Sequence, residues 1–196
     1  MRHALRRNTE LWQRALNNLY DRNLLSVNLK IPFLHIYNFG AHFHAYQIKF
    51  ILGELEFSQY WVFSFVRNPW DREVSEYHYA LRNPNHRQHH AVKNLADFDE
   101  FIDWRFSTDI KNCKTQRSYL QDIDGKLLVD YVGKVHTLEA DLERICKKLK
   151  IKKPDLERKN KSEHERYDRY YSTKTIEMVA KVYKEDVDEF GFNFGD

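Results

Sequence analysis

Cysteine, glycine and proline are scarce in this sequence, and their scarcity excludes several classes of protein. The two cysteines, Cys113 and Cys146, are too few for a disulfide framework and do not form a Cys-x-x-Cys pair. Six glycines and four prolines exclude collagen-like and low-complexity architectures. No segment approaches the roughly 18 consecutive apolar residues of a membrane-spanning helix. The basic N-terminus is not followed by the apolar segment of a signal peptide.

The residues that are abundant describe a globular chain. Of the 196 residues, 42% are hydrophobic and 15% are aromatic, which is enough for one well-packed core. The length predicts a single domain over residues 1–196, since domains run from roughly 100 to 200 residues. A net charge of +3 gives no argument for nucleic acid as a partner. The Lys- and Arg-rich stretch over 147–161 suggests nucleic-acid binding, but a solvated loop and helix end explain it better.

Apolar patterns divide the chain into alternating helices and strands. Tyr60–Val66 is a short, continuous apolar run, typical of a strand that is buried on both faces of a parallel sheet. A second buried strand is predicted over 127–132, after the turn at Asp124-Gly125. Periodicity and capping residues predict helices over 9–20, 42–52, 69–81, 97–104, 138–149 and 173–189. Strands that alternate with helices predict an α/β fold with a mostly parallel sheet.

The segment Arg67-Asn-Pro-Trp-Asp71 directly follows the first predicted strand. Asn68 suits a helix N-cap and Pro69 suits the first helical position. In open α/β sheets, ligands bind beyond the carboxyl ends of the strands. A guanidinium beside the unpaired N–H groups of a helix start is a candidate anion site, and Ser75 lies two turns into the helix, within reach of the same anion. The alternative is that Arg67 pairs with a nearby acid and Ser75 is an ordinary helix-surface serine.

The stretch from Phe63 to Tyr77, Phe-Ser-Phe-Val-Arg-Asn-Pro-Trp-Asp-Arg-Glu-Val-Ser-Glu-Tyr, resembles a known motif. It looks like the 3′-phosphate-binding motif of the sulfotransferases that use 3′-phosphoadenosine 5′-phosphosulfate (PAPS). Gly40-Ala-His-Phe-His-Ala45 is similar to a His-x-Thr/Ser-Ala segment in the carbohydrate-type and bacterial branch of that family. Further similarity to this branch follows in order at 116–120, 128–133, 138–142, 160–171 and 183–191. The resemblance covers roughly residues 35–194, and residues 1–34 match only weakly.

This resemblance implies a P-loop-NTPase-like parallel sheet flanked by helices. It also implies an enzyme that transfers a sulfuryl group from PAPS, its co-substrate, to a hydroxyl acceptor, with a carbohydrate as the expected acceptor. Arg67 and Ser75 are then expected to hold the 3′-phosphate. His42, or else His44, resembles the general base that takes the acceptor's proton, a role that suits histidine because its unperturbed pKa is near neutrality. A surface or capping histidine is the alternative for either residue. No metal is expected, since a His-x-His pair binds one only together with other ligands.

One element of the family has no counterpart upstream of His42. The family's P-loop-like turn, close to Pro-Lys-x-Gly/Ala-Gly-Thr-Ser, cradles the 5′-phosphosulfate, whereas this sequence offers no buried strand and no glycine before Gly40. We expect that the first strand and its loop are missing, through N-terminal truncation or in a degenerate member, and that catalysis is correspondingly weak. A catalytically weak or inactive binding or interaction domain is therefore the alternative function. Cysteine usage favours a cytoplasmic location, with the Golgi lumen or a membrane surface as the alternative if an N-terminal anchor has been lost. The sequence predicts no oligomeric state.

Overall fold

The computed structural model describes residues 25–27, 43–154 and 165–196. The chain divides into two compact units. Unit 1 consists of Met1–Val66 and Ser118–Asn160, and unit 2 consists of Arg67–Arg117 and Lys161–Asp196. The helix predicted over 9–20 and the candidate base His42 lie outside the described residues. The single domain over 1–196 stays a prediction.

Helices outnumber strands in the described ranges. In chain order the elements are β1 (Leu25–Val27), α1 (Ala45–Leu52), α2 (Glu54–Phe57), β2 (Val62–Val66), α3 (Pro69–Arg82), α4 (His89–Val92), α5 (Phe98–Thr108), α6 (Gln116–Leu120), β3 (Tyr131–Lys134), α7 (Leu138–Leu149), α8 (Thr173–Val182) and α9 (Lys184–Phe190). A small sheet flanked by helices confirms the predicted α/β class. None of the helices in the described part of the chain has the length and apolar character needed to cross a membrane.

Unit 1 contains a three-stranded sheet in the order β1-β2-β3. The strands β2 and β3 are parallel, with Phe63 opposite Tyr131 and Phe65 opposite Gly133, so the predicted parallel pair is present. The strand β1 runs antiparallel to β2, which makes the sheet mixed. The sequence did not reveal β1, because three residues are too few to show the alternating pattern on which strand prediction depends.

Strand β2 is buried along its whole length, as its apolar sequence predicts. Side chains alternate between the two faces of a strand, so Phe63 and Phe65 point to one face and Val62 to the other. Phe63 and Phe65 pack against the apolar stripe of α7, which includes the buried Cys146. Val62 packs against Ile48 of α1 and against α2. This buried strand ends at Val66, and the next residue in the chain is Arg67.

The second strand lies further along the chain than predicted. It was expected over 127–132, whereas β3 begins at Tyr131. Leu127 and Leu128 instead bond back to α6 and the residue after it, through a bridge to Gln121 and a hydrogen bond from the Leu128 N–H to the Leu120 carbonyl of 2.8 Å. A tight turn stabilised by the Asp122 side chain closes this local pairing. The first residues of the apolar run over 127–132 therefore pair locally, and the parallel pairing with β2 begins only at Tyr131.

One carboxylate holds the connection between β3 and α7. Asp141 accepts hydrogen bonds from the Tyr131 hydroxyl at 2.6 Å, the Lys134 N–H at 2.8 Å and the Thr137 hydroxyl at 2.7 Å. Burial by itself raises the pKa of Asp141, but the three hydrogen bonds outweigh it, and the pKa lies below its ordinary value. The helix that follows spans Leu138–Leu149, as its periodicity predicts.

Close packing between β3 and β2 depends on a glycine. A Cβ atom added at Gly133 would lie 2.5 Å and 2.8 Å from two ring carbons of Phe65. Gly133 therefore leaves the space that the aromatic ring occupies between the sheet and α7.

Unit 2 is helical in its described part and encloses a buried charged network. Glu73 of α3 is completely buried, accepts a hydrogen bond of 2.6 Å from the Tyr183 hydroxyl and forms an ion pair with Arg105 of α5. The guanidinium of Arg72 lies 4.3 Å from the centre of the Tyr183 ring. Tyr183 also separates α8 from α9, so the single helix predicted over 173–189 is two helices. The backbone leaves the helical region at Tyr183, where the side chain reaches across to Glu73.

Candidate functional site

Helix α3 begins immediately after the candidate residue Arg67. Asn68 is its N-cap, and the Asn68 side-chain oxygen accepts a hydrogen bond of 3.0 Å from the Trp70 N–H. Pro69 occupies the first helical position and has no N–H. The Arg72 N–H bonds to the Asn68 carbonyl, which leaves the Asp71 N–H as the first-turn donor without an acceptor among the described residues. The helix start thus offers fewer donors to an anion than the sequence suggests.

The first turn of α3 is anchored by residues much later in the chain. The Asn68 amide donates to the Asn193 carbonyl at 2.9 Å and to the Tyr167 hydroxyl at 3.3 Å. The Tyr171 hydroxyl donates to the Trp70 carbonyl at 2.8 Å, and the Trp70 indole N–H donates to the backbone of α8 at 3.1 Å. These contacts fix the N-terminus of α3, and with it the position of Arg67, within unit 2.

The guanidinium of Arg67 pairs with the carboxylate of Asp71. Arg67 Nε lies 2.5 Å from one Asp71 oxygen and Arg67 Nη2 lies 2.9 Å from the other. Pairing with a nearby acid was one of the two readings that the sequence left open. It uses two of the five N–H donors of a guanidinium, so three remain without a partner in the described part of the chain. The Arg67 side chain is 21% exposed, so part of it is open to solvent.

Ser75 lies on the same face of α3 as this ion pair. Residues four apart on a helix are neighbours, and Ser75 is four residues after Asp71. The side chain of Ser75 is half-buried, and its hydroxyl forms no hydrogen bond with any residue that the structure describes. Asp71 therefore holds the Arg67 guanidinium at the start of α3, and the helical spacing puts Ser75 one turn after Asp71 on the same face. Such a face can give a phosphate several charge-assisted hydrogen bonds, at the cost of a carboxylate close by.

The peptide of Arg67 has a partner that the sequence did not reveal. The Gln116 side chain accepts from the Arg67 N–H and donates to the Arg67 carbonyl, both at 2.8 Å. The two residues are 49 positions apart, and no local pattern marks a glutamine as a backbone partner. A hydrogen-bonded pair so far apart in the sequence can be identified only from the three-dimensional structure.

His44, the second candidate base, lies in unit 1 at the start of α1. Its Nδ1 is 2.8 Å from the Ser118 carbonyl, and its ring stacks on Tyr119 with 4.3 Å between the ring centres. A carbonyl oxygen only accepts, so Nδ1 carries a proton, and in the neutral ring the lone pair is then on Nε2. No residue in the described ranges occupies Nε2. His44 also begins α1 as its N-cap, so the capping position that the sequence left as an alternative is occupied too.

The described ranges contain no group of three or more His, Cys, Asp or Glu side chains placed to hold a metal ion. The buried strand, the Arg67 junction and the capped helix that follows define an α/β protein with a candidate anion site beyond a strand end. The family model described as the sulfotransferase family matches residues 10–193, and the chain belongs to that family. The resemblance to sulfotransferases seen in the motifs is thereby confirmed.

Comparison with individual proteins adds one relative. An uncharacterized protein of Archaeoglobus fulgidus is 32% identical over 106 residues, which cover 54% of this chain and 80% of the relative. No solved structure matches the chain.

Proposed function

We propose that this chain transfers a sulfuryl group from PAPS to a hydroxyl group of a carbohydrate. One observation carries the proposal: among the described residues, three N–H donors of Arg67 have no acceptor, and the Ser75 hydroxyl of α3 has no hydrogen-bond partner. Membership of the sulfotransferase family supports sulfuryl transfer as the reaction. The choice of PAPS and of a carbohydrate rests on the motif resemblance alone.

In this proposal the 3′-phosphate of PAPS binds on α3. The three remaining guanidinium donors of Arg67 and the Ser75 hydroxyl contact the phosphate oxygens, and charge-assisted hydrogen bonds of this kind are about twice as strong as neutral ones. Asp71 holds the guanidinium in place through two hydrogen bonds. The negative charge of Asp71 opposes the phosphate, so the affinity depends on how well the donors of Arg67 are aligned.

The proposed base is a histidine of the segment before α1. His44 is supported by its fixed tautomer, because the bond from Nδ1 to Ser118 leaves Nε2 ready to accept a proton. His42 remains the other candidate. The acceptor oxygen forms a bond to sulfur while the bond from sulfur to the bridging phosphate oxygen breaks. The hydroxyl proton passes to the histidine, and the electron pair of the broken bond leaves with the 3′,5′-bisphosphate.

A second candidate function is nucleotide binding without efficient catalysis. It requires only the Arg67 and Ser75 groups of the proposed 3′-phosphate site and no group that acts on the transferring sulfuryl. Loss of preorganised donors around a transferring group costs about 3–4 kcal/mol of transition-state stabilisation for each key donor. Binding and transfer therefore need separate assays.

The test of the donor site is calorimetric titration of the protein with 3′-phosphoadenosine 5′-phosphate. Arg67→Ala is expected to weaken binding about tenfold to a hundredfold, since a charge-assisted hydrogen bond contributes roughly 1.5–3 kcal/mol. Ser75→Ala removes a neutral donor and is expected to weaken binding about twofold to tenfold. Arg82→Ala is the matched control, because Arg82 is an exposed arginine at the other end of the same helix.

Equal affinity of the wild type, Arg67→Ala and Arg82→Ala would reject the donor site. Transfer is measured separately with radiolabelled PAPS and a panel of glycan and small hydroxyl acceptors. Binding that depends on Arg67, with no transfer to any acceptor, would favour the second candidate function.

A further inference from the structure

The position of Arg67 leaves its peptide outside both neighbouring elements. Strand β2 ends one residue before it and α3 begins two residues after it. Neither a sheet ladder nor a helix therefore satisfies the Arg67 N–H and carbonyl, and buried backbone groups need partners. Both partners come from Gln116, whose oxygen accepts from the N–H and whose amide nitrogen donates to the carbonyl, each at 2.8 Å.

Gln116 is itself held in one orientation. It is only 6% exposed, and its backbone N–H donates to a carboxylate oxygen of Asp186 at 2.8 Å. The same Asp186 oxygen lies 3.4 Å from the Gln116 side-chain nitrogen, which sets that nitrogen as the donor end of the amide. Asp186 is completely buried, and its other oxygen accepts from the Arg117 N–H at 2.8 Å. Rotating the amide by half a turn would place donor against donor and acceptor against acceptor.

We propose that Gln116 is a positioning residue for the donor site. It fixes the peptide of Arg67 while Asp71 fixes the guanidinium, so that the three remaining donors are aligned before the phosphate arrives. The inference rests on the proposed function, since it concerns how Arg67 is presented to a 3′-phosphate. Gln116 acts through Arg67 and does not touch the ligand. Only a side chain with both a donor and an acceptor at this spacing can satisfy the peptide from one position.

The test compares Gln116→Ala, Gln116→Glu and a matched control, Thr175→Ala. Thr175 is a completely buried polar residue of unit 2 whose hydroxyl donates to Asp99 at 2.7 Å, so its loss also removes buried hydrogen bonds. Two quantities are measured for each variant: the urea midpoint of unfolding and the dissociation constant for 3′-phosphoadenosine 5′-phosphate. All three variants are expected to lower the midpoint. Only the two Gln116 variants are expected to weaken binding, by about threefold to tenfold.

Gln116→Glu adds a second measurement, the pH dependence of binding, which should not change if Gln116 only stabilises the fold. An ionised glutamate cannot donate to the Arg67 carbonyl, whereas a protonated one can. Burial and the Asp186 carboxylate favour the protonated form, whereas the Arg72 guanidinium, 3.8 Å from Asp186, favours the ionised one. Burial is the larger effect at this place, since the pKa of Asp186 itself is raised although Arg72 lowers it. The ratio of the variant and wild-type dissociation constants should therefore shrink as the pH falls from about 8 to about 5. This variant keeps the shape of glutamine, and it carries the test if Gln116→Ala does not fold.

Each outcome has a distinct meaning. If Arg67→Ala weakens binding but both Gln116 variants bind as the wild type does, the positioning role is refuted and the proposed function stands. If Thr175→Ala weakens binding as much as the Gln116 variants, or the pH ratio stays constant, the effect is one of general stability and the positioning role is refuted. If Arg67→Ala binds normally, the proposed function fails, and this inference fails with it.

Discussion

The buried ion pair of Glu73 and Arg105 allows a sharp test of what holds unit 2 together. Glu73 is completely buried and Arg105 is 6% exposed, so neither charge is solvated by water. We consider Glu73→Gln, Arg105→Met and the double variant. Glutamine keeps an oxygen that can accept from the Tyr183 hydroxyl, so the first change removes the charge and leaves that hydrogen bond in place. The double variant removes both charges.

Breaking a buried ion pair by removing one partner costs about 3–5 kcal/mol, because the other charge is left buried and uncompensated. The loss of stability in Glu73→Gln should lie near the lower end of this range, since Arg105 keeps a second carboxylate. That carboxylate is Asp109, with 3.4 Å between the nearest nitrogen and oxygen. Arg105→Met should cost an amount near the upper end of this range, because it removes the cation that contacts the Glu73 carboxylate. Among the described residues, Glu73 then keeps the hydrogen bond from the Tyr183 hydroxyl and the weaker attraction of Arg72. Losses of this size correspond to melting temperatures lower by about 6–20 °C in a protein of this length. The double variant should be more stable than the sum of the two losses predicts, by about 1–3 kcal/mol.

The assay is urea unfolding of the four proteins followed by circular dichroism at fixed pH and salt. Free energies of unfolding from the four curves form a double-mutant cycle, in which the coupling between the two sites is measured directly. Losses that add to within about 0.5 kcal/mol would show that the two residues do not stabilise each other, and the reasoning would be refuted.

Three further predictions concern unit 1. Gly133→Ala should lower the urea midpoint by an amount equivalent to about 1–3 kcal/mol, because the new methyl group overlaps the Phe65 ring; an unchanged midpoint would contradict the close packing. Asp141 stabilises the fold at pH values above its ordinary pKa, and this contribution is lost as the pH falls through its lowered folded-state pKa. The stability gap between wild type and Asp141→Asn should therefore close below about pH 4, and a gap that is constant with pH would argue against it. His44→Asn keeps a donor for the Ser118 carbonyl but removes the proposed base, so sulfuryl transfer should fall about 10²- to 10⁴-fold with unchanged nucleotide affinity. Unchanged transfer in His44→Asn would leave His42 as the candidate base.

Local patterns predicted those elements whose stability is local. Helix α7 has the predicted bounds because its apolar stripe, its early acids and its late lysines all agree. Strand β2 was predicted because a strand covered on both faces is apolar throughout. The break at Tyr183 was not predicted, since the helical periodicity continues through it, and the hydrogen bond that the Tyr183 side chain makes there is to a residue 110 positions away.

In the candidate site too, the features set by neighbouring residues were predicted and those set by distant contacts were not. The Asn-Pro cap and the arginine before it indicated an anion site at a helix start, and both lie where the sequence placed them. The sequence did not decide between a free and a paired Arg67, because helical spacing alone allows the Asp71 side chain to point along α3 or toward the guanidinium. Gln116 was missed altogether, because its function depends on a contact across 49 residues.

The anchoring of the α3 N-terminus has a consequence for the order in which the molecule assembles. The hydrogen bond from Asn68 to the Asn193 carbonyl joins residues 125 positions apart, and the bond from Tyr171 to Trp70 spans 101 positions. Closing such long loops costs chain entropy, and contacts of this kind slow folding compared with local ones. A chain that emerges from the ribosome with its N-terminal part first can form the turns of α3 early, but it cannot fix their starting point. The proposed phosphate site is therefore completed only after residue 193 has been synthesised and has docked.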